Sequence, residues 1–171
     1  MNKTDHTEFY RYFMLRTVPT SLSPADRHVQ ILDNYIFNTR LRLRTLRVPG
    51  DSRRERYLQQ RIWASLNSNT ELMTTEIELA EEEYAQFSTF EGREIRKNRY
   101  RSEVMGDAFD LDIYLGQLKG LVRAAFSFPS HDAARSFTPP SSEYLDISEY
   151  PQFRDEVLVD TTSEEVFSAV E

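Results

Sequence analysis

The chain has 171 residues, 39% of them hydrophobic and 12% aromatic, with 28 Asp and Glu against 21 Lys and Arg for a net charge of −7. That is enough chain for one domain with a real core, and no apolar run approaches the roughly 18 residues of a membrane helix. The opening residues lack the apolar stretch of a signal peptide, and the absence of cysteine excludes disulfides, thiolate metal sites and cysteine nucleophiles. These features predict a single cytoplasmic domain over residues 1–171 with no membrane partner.

In chain order, Glu8 to Leu15 is rich in aromatics and reads as a strand, with Phe9, Phe13 and Leu15 on one face and Glu8, Tyr10 and Tyr12 on the other. Ser23-Pro24 reads as an N-cap followed by a first-turn proline, so a short helix is predicted there. Strand character returns from Val29 to Thr45, Val48-Pro49-Gly50-Asp51 is a turn, and Arg56 to Ala64 is the returning strand of a hairpin. Tyr57, Gln59, Arg61 and Trp63 share a face of it. Asn67-Ser68-Asn69 is a loop before a strand from Leu72 to Leu79, which puts Glu76 and Glu78 on one side.

A helix acidic in its first turn is predicted from Glu81 to Phe90, closed by Gly92. Strands follow at Ile95 to Glu103, with Lys97, Arg99 and Arg101 aligned, and at Phe109 to Tyr114, with Asp110, Asp112 and Tyr114 aligned. Met105-Gly106-Asp107 turns between them. Leu121 to Phe128 is a further strand, and Ser130 caps a short helix from His131 to Phe137 that stops at Pro139-Pro140. Glu143 to Ser148 reads as a last strand, and Thr162 with Glu165 forms a capping box for a terminal helix ending near Val170. Many antiparallel strands and few helices imply one α+β domain with a large sheet, open or closed.

The charges are segregated. Arg40, Arg42, Arg44, Arg47, Arg53, Arg54, Arg56 and Arg61 meet only Asp51 and Glu55 within their stretch, while acids concentrate at Glu76 to Glu83 and from Glu143 onward. An acidic protein is a poor binder of a nucleic-acid duplex. Basic strands inside an acidic shell suit a small polyanion instead. Alternation places Arg40, Arg42 and Arg44 on one strand face, where they repel unless water or an anion covers them. A solvated outer face and a polyanion site are both compatible with that spacing. If the charged faces point into a barrel, guanidinium and ammonium groups would hold phosphates and carboxylates would hold Mg²⁺ or Mn²⁺. His6, His28 and His131 lack metal-ligand spacing and are expected at the surface, most aromatic residues are expected in the core, and no glycine-rich phosphate loop is present.

In this order and spacing the motifs resemble the CYTH domain, or triphosphate tunnel metalloenzyme, superfamily, which includes inorganic triphosphatases, thiamine triphosphatases and class IV adenylyl cyclases. Glu8 to Leu15 is similar to its opening Glu-x-Glu-x-Lys strand and Thr39 to Arg44 to its arginine strand. Arg61 falls at its strand lysine, Glu76 and Glu78 at its mid-chain acidic strand, and Lys97-Asn98-Arg99-Tyr100 at its Lys-x-Arg-Tyr element. Phe109 to Val122 resembles the stretch before its penultimate strand. The resemblance implies an α+β tunnel fold, a closed or nearly closed antiparallel β-barrel of about eight strands with flanking helices, with phosphate-binding roles for Arg40, Arg42, Arg44, Arg61, Lys97, Arg99 and Arg123, and metal-binding roles for Glu8, Glu76, Glu78, Asp112 and Asp146.

The departures fall mainly on the metal side. Tyr10 and Tyr12 stand at the second glutamate and lysine of the opening motif, Ala125 and Ser127 at the paired glutamates of the penultimate strand, and Asp146-Ile147-Ser148 at a late Glu-Val-Thr. The expectation is therefore a divergent tunnel protein that binds triphosphate, polyphosphate or nucleotide through lumen Arg and Lys, with metal-dependent catalysis weakened or lost. The alternative is an active Mg²⁺- or Mn²⁺-dependent triphosphate phosphohydrolase, or less readily a cyclase. The acidic C-terminal tail is expected to close one tunnel mouth or to repel wrong ligands.

Overall fold

In the computed structural model, residues 3–170 are described; residues 1, 2 and 171, the ends of the predicted domain, lie outside them. The strands are β1 (Lys3–Leu15), β2 (His28–Ile36), β3 (Leu41–Arg47), β4 (Arg54–Trp63), β5 (Glu71–Glu78), β6 (Gly92–Val104), β7 (Asp107–Tyr114), β8 (Val122–Phe128) and the two-residue β9 (Leu145–Asp146). The helices are α1 (Glu81–Phe87), α2 (His131–Ser136), α3 (Asp155–Leu158) and α4 (Ser163–Ser168).

Antiparallel neighbours run β5-β4-β3-β2-β6-β7-β8-β1, and β1 pairs back onto β5, so eight strands close into a barrel. The length of β1 makes closure possible. Its first half pairs with β5, from Lys3 opposite Ile77 to Phe9 opposite Glu71, and its second half pairs with β8, from Phe9 opposite Phe128 to Leu15 opposite Val122. Where β5 ends, β9 continues along the same edge of β1 at Phe13 and Met14. Closure leaves the eight strands without an open edge.

Alternation sorts the side chains into two cores. Phe13, Phe109, Leu111, Val122, Ala124 and Phe126 pack outside the barrel wall beneath Phe137 and Tyr144. The aromatic rings meet closely there, with Phe109 and Phe126 stacked at 4.7 Å and Phe126 and Phe137 tilted at 4.7 Å. The second core lies at one end of the lumen, where Tyr12, Met14, Ile95 and Tyr114 meet Ile147, Phe153, Leu158, Val159 and Val166 of the C-terminal segment. The expectation that the tail closes one end of the barrel is met by this apolar plug.

Several local predictions hold for the reasons given. Ser130 caps α2 by accepting from the Ala133 N–H, and Thr162 with Glu165 forms the capping box of α4. Others need correction. Ser23-Pro24 starts a turn and no helix: Ser23 Oγ accepts from the Ala25 N–H, its carbonyl accepts from the Asp26 N–H, and the chain enters β2 at His28. Helix α1 stops at Phe87 with Ser88 as its cap, and Gly92 instead opens β6. A Cβ at Gly92 would come within 2.2 Å of Asn34 Oδ1 and 2.5 Å of the Tyr35 carbonyl oxygen, so this glycine permits the close approach of β6 to β2. The last strand shrinks from Glu143–Ser148 to Leu145–Asp146, because β1 offers only Phe13 and Met14 as partners there.

Candidate functional site: a charged tunnel

The inner faces of seven strands and one residue of α3 enclose a cavity of about 170 Å³ lined by, among others, Arg42, Arg44, Arg61, Lys97, Arg99 and Arg123. Side-chain exposure orders them by depth. It rises from 1% at Lys97 and 8% at Arg123, through 28% at Arg99, to 34% at Glu8 and 42% at His6. The cavity therefore opens at the His6 and Glu8 end of β1 and is deepest at the plug.

Two buried ion clusters hold most of these cations in place. In the first, Asp33 on β2, fully buried, faces β3 in register with Arg44. Arg44 donates Nε to Asp33 Oδ1 and Nη2 to Asp33 Oδ2, both at 2.7 Å. Arg42 donates Nη1 to the same carboxylate at 3.4 Å and to the Tyr35 hydroxyl at 3.2 Å. Its Nε reaches Gln59 Oε1 at 2.7 Å, and Gln59 Nε2 donates onward to Glu76 Oε2 at 2.6 Å. Burial alone would raise the Asp33 carboxyl; Arg42 and Arg44 overcome it and hold the group well below the usual carboxylate range.

The second cluster joins β6, β7 and β8 to α3. Asp112 on β7 takes Arg99 through a two-point fork at 2.7 and 2.9 Å, Lys97 Nζ at 2.8 Å and Arg123 Nη2 at 3.4 Å. Asp155 on α3 takes Lys97 Nζ at 2.7 Å, Arg123 Nη1 at 3.0 Å and the Tyr114 hydroxyl at 2.6 Å. Burial would raise both carboxyls, but the surrounding cations hold them far down. Burial pulls the Lys97 ammonium down to about 8 against the attraction of Asp112 and Asp155. Arg123 also lies over the rings of Tyr12 and Tyr114, at 5.0 and 5.5 Å.

The C-terminal segment is pinned where it delivers Asp155. Arg154 donates Nε to Asn69 Oδ1 at 2.6 Å and Nη2 to the Ser65 and Ser68 carbonyls, and Asn69 Nδ2 donates to the Ile147 and Tyr150 carbonyls. Trp63 at the end of β4 donates Nε1 to Glu156 Oε1. These bonds fix α3 against the β4–β5 loop.

Most of the basic residues singled out in the sequence converge on the cavity; the acidic ones scatter. Arg40 is exposed in the turn before β3, where Asn38 has φ of 60° and Thr39 Oγ1 accepts from the Leu41 N–H, so the inward alternation begins only at Arg42. Glu8 and Glu76 line the cavity. Glu78 is exposed at the end of β5, Asp112 is enclosed by three cations, and Asp146 pairs with Arg11 outside the barrel. Of the histidines, His28 stacks on Tyr100 and His131 meets Arg135, whereas His6 lines the cavity beside Glu8. Sequence reading gave no role to Asp33, Gln59 or Asp155. The first two lie on alternating inner faces opposite arginines and were open to a pairing argument. Asp155 carried no local signal, because only the folding back of the tail brings it inside.

Mg²⁺ and Mn²⁺ favour several convergent oxygen ligands. Among the described residues no group of three or more His, Asp or Glu side chains converges in a way that suits a metal. Glu8 lies against His6, Glu76 accepts from Gln59, and Asp33, Asp112 and Asp155 are taken up by Arg and Lys. The donors present do not fit a divalent ion held by the protein alone.

A closed antiparallel barrel with a charged lumen and one plugged end defines a triphosphate tunnel fold. The chain shares that fold with a solved protein: the crystal structure of the inorganic triphosphatase NE1496 superposes with a TM-score of 0.58 at 22% identity, covering 89% of this chain and 93% of that one. A second crystal structure, of the hypothetical protein NE1496, gives 0.58 at 22% identity over 91% of this chain and 99% of that one. In sequence the chain is similar to an inorganic triphosphatase of Nitrosomonas europaea, 29% identical over 159 residues that span 89% of this chain and 96% of the relative. No family model matches the chain.

Proposed function

We propose that the protein binds a linear polyanion of the triphosphate class in its tunnel, with metal-dependent turnover weakened or lost. The observation that carries this reading is the convergence of six Arg and Lys side chains on one cavity. Asp33, Asp112 and Asp155 pair with five of them and hold them in place, while Glu8, Glu76 and Asp110 line the same cavity. Arg61 is the cation most available to a ligand. Among the described residues it forms no ion pair, and it lies over the Trp63 ring at 5.4 Å. Guanidinium forks and an ammonium suit tetrahedral oxyanions at several points along a chain. The similarity to a protein named inorganic triphosphatase supports the same ligand class.

Melting the protein with and without tripolyphosphate in EDTA tests the reading, because a ligand that binds the folded state raises its melting temperature by mass action. A shift with chelator present is expected; no shift with any polyphosphate or nucleotide would leave the tunnel without this role. The second reading, a Mg²⁺- or Mn²⁺-dependent triphosphatase, draws on Glu8 and Glu76 in the same cavity. Phosphate release from tripolyphosphate with Mn²⁺, abolished by Glu76→Ala, would favour it over loss of turnover.

A further inference from the structure

We propose that Asp155 is a built-in anion that fills the innermost cation subsite and so sets how many phosphates the tunnel accepts. The inference rests on the polyphosphate reading above and adds a limit on chain length to it.

The Asp155 carboxylate is held as a phosphate oxygen pair would be. Both oxygens are engaged, Oδ1 by the Tyr114 hydroxyl at 2.6 Å and Arg123 Nη1 at 3.0 Å, Oδ2 by Lys97 Nζ at 2.7 Å and Arg123 Nη2 at 3.2 Å. Three donor side chains thus converge on one carboxylate that is 2% exposed. It enters from the C-terminal segment, not from the barrel wall, and the Arg154, Asn69 and Trp63–Glu156 hydrogen bonds keep it there. Behind it, among Tyr12, Trp63, Phe153 and Arg154, the remaining cavity is about 10 Å³, room for no more than a single water. A phosphate chain entering at His6 and Glu8 therefore meets Arg99, Arg61, Arg42 and Arg44, and stops at a negative charge.

That arrangement acts in two ways. The carboxylate takes up donors that an additional phosphate would need, and its charge repels a terminal phosphate pushed against it. A chain short enough to end at Arg42, Arg61 and Arg99 gains their contacts without disturbing the plug. A longer one must displace Asp155 together with α3 or leave its extra phosphate outside the mouth.

The experiment compares the wild-type chain with Asp155→Asn, which removes the charge and keeps the shape, and Asp155→Ala, which also vacates the space. Calorimetric titration in EDTA gives the ratio of tetrapolyphosphate to tripolyphosphate affinity for each. The ratio is expected to rise by about tenfold in Asp155→Ala, the worth of one charge-assisted hydrogen bond, and by less in Asp155→Asn. An unchanged ratio in variants that still melt cooperatively would overturn the chain-length role and leave the tunnel reading intact. Absence of polyphosphate binding by wild type and variants alike would remove both. A crystal structure of the wild-type protein soaked with tripolyphosphate decides the matter without any variant: Asp155 is expected to stay on Lys97 and Arg123, and a phosphate in its place overturns the inference.

Discussion

The Asp33 carboxylate and the Arg44 guanidinium meet as a planar two-point fork, 2.7 Å at each arm, with Asp33 sealed from solvent. Arg42 shares the same carboxylate. Removing the acid strands two buried cations, whereas the intact cluster is satisfied at nearly every lone pair. Asp33→Ala is therefore expected to cost about 3 to 5 kcal/mol of stability, the usual penalty for breaking a buried ion pair from one side. Denaturant titration measures it. The stranded guanidiniums also predict that tripolyphosphate raises the melting temperature of the variant by more than that of the wild type. A loss below about 1 kcal/mol, the worth of a surface pair, would mean that the cluster is far better hydrated than its burial indicates.

Arg61 should behave in the opposite manner. It lines the cavity without a carboxylate partner among the described residues and touches the Trp63 face at 5.4 Å. Arg61→Gln is expected to lower stability by no more than about 1 kcal/mol, the range of a cation–π contact, while weakening tripolyphosphate binding about tenfold. Paired melting and calorimetry separate the two effects. Equal affinity for wild type and variant would take Arg61 out of the ligand's path.

The contrast between these residues tracks what the sequence made legible. Alternation in Arg42-Leu43-Arg44 and Lys97-Asn98-Arg99 placed those cations on common faces, and the period of two is enough to do so once a strand is recognised. The same logic failed at Arg40, because a positive φ at Asn38 and the Thr39 side chain shape a turn that delays the strand. Barrel closure was legible only as an expectation, since pairing of Lys3–Phe9 with Glu71–Ile77 joins segments far apart in the chain. Asp155 was the least accessible. Its role depends on Arg154 finding Asn69 and on Phe153 finding Tyr12 and Tyr114, and no local pattern encodes either meeting.

Acid should weaken the fold through its buried carboxylates. Burial works to raise Asp33, Asp112 and Asp155, yet the Arg and Lys groups around them hold all three below the ordinary value of 3.8. Near and below that value the unfolded chain takes up protons that the folded chain refuses, so stability falls as pH drops. Their contribution is complete above the unfolded value and drains as pH descends toward the depressed ones. The melting temperature is expected to be flat from about pH 7 to pH 5 and to fall steeply below about pH 4. A flat profile down to about pH 2 would contradict it.

On the alkaline side Lys97 acts with the reverse sign. Burial lowers its ammonium to about 8 from 10.5, so across that interval the unfolded chain keeps a proton that the folded chain has released. Its share of stability therefore rises with pH there. Polyphosphate affinity should fall over the same interval, because the tunnel loses one of its cations. Titrations at about pH 7 and about pH 9.5 are expected to differ in that direction, and a Lys97→Met variant should show a smaller difference.

The single tryptophan lies between the tunnel wall and the C-terminal plug. Trp63 carries Arg61 of the wall on its ring at 5.4 Å and Arg154 of the C-terminal segment at 4.9 Å, and donates its indole N–H to Glu156. A ligand that draws Arg61 toward the lumen changes the charge next to the indole, so tripolyphosphate should produce a saturable change in Trp63 emission. The change should vanish in Arg61→Ala, although that variant keeps Arg154 and Glu156 in place. Glu156→Gln separates the plug from the wall: it alters the resting emission through the indole hydrogen bond and leaves the ligand-dependent change, because Arg61 still moves. If the ligand response disappears in Glu156→Gln and persists in Arg61→Ala, the signal comes from displacement of α3, and the wall arginine is a bystander.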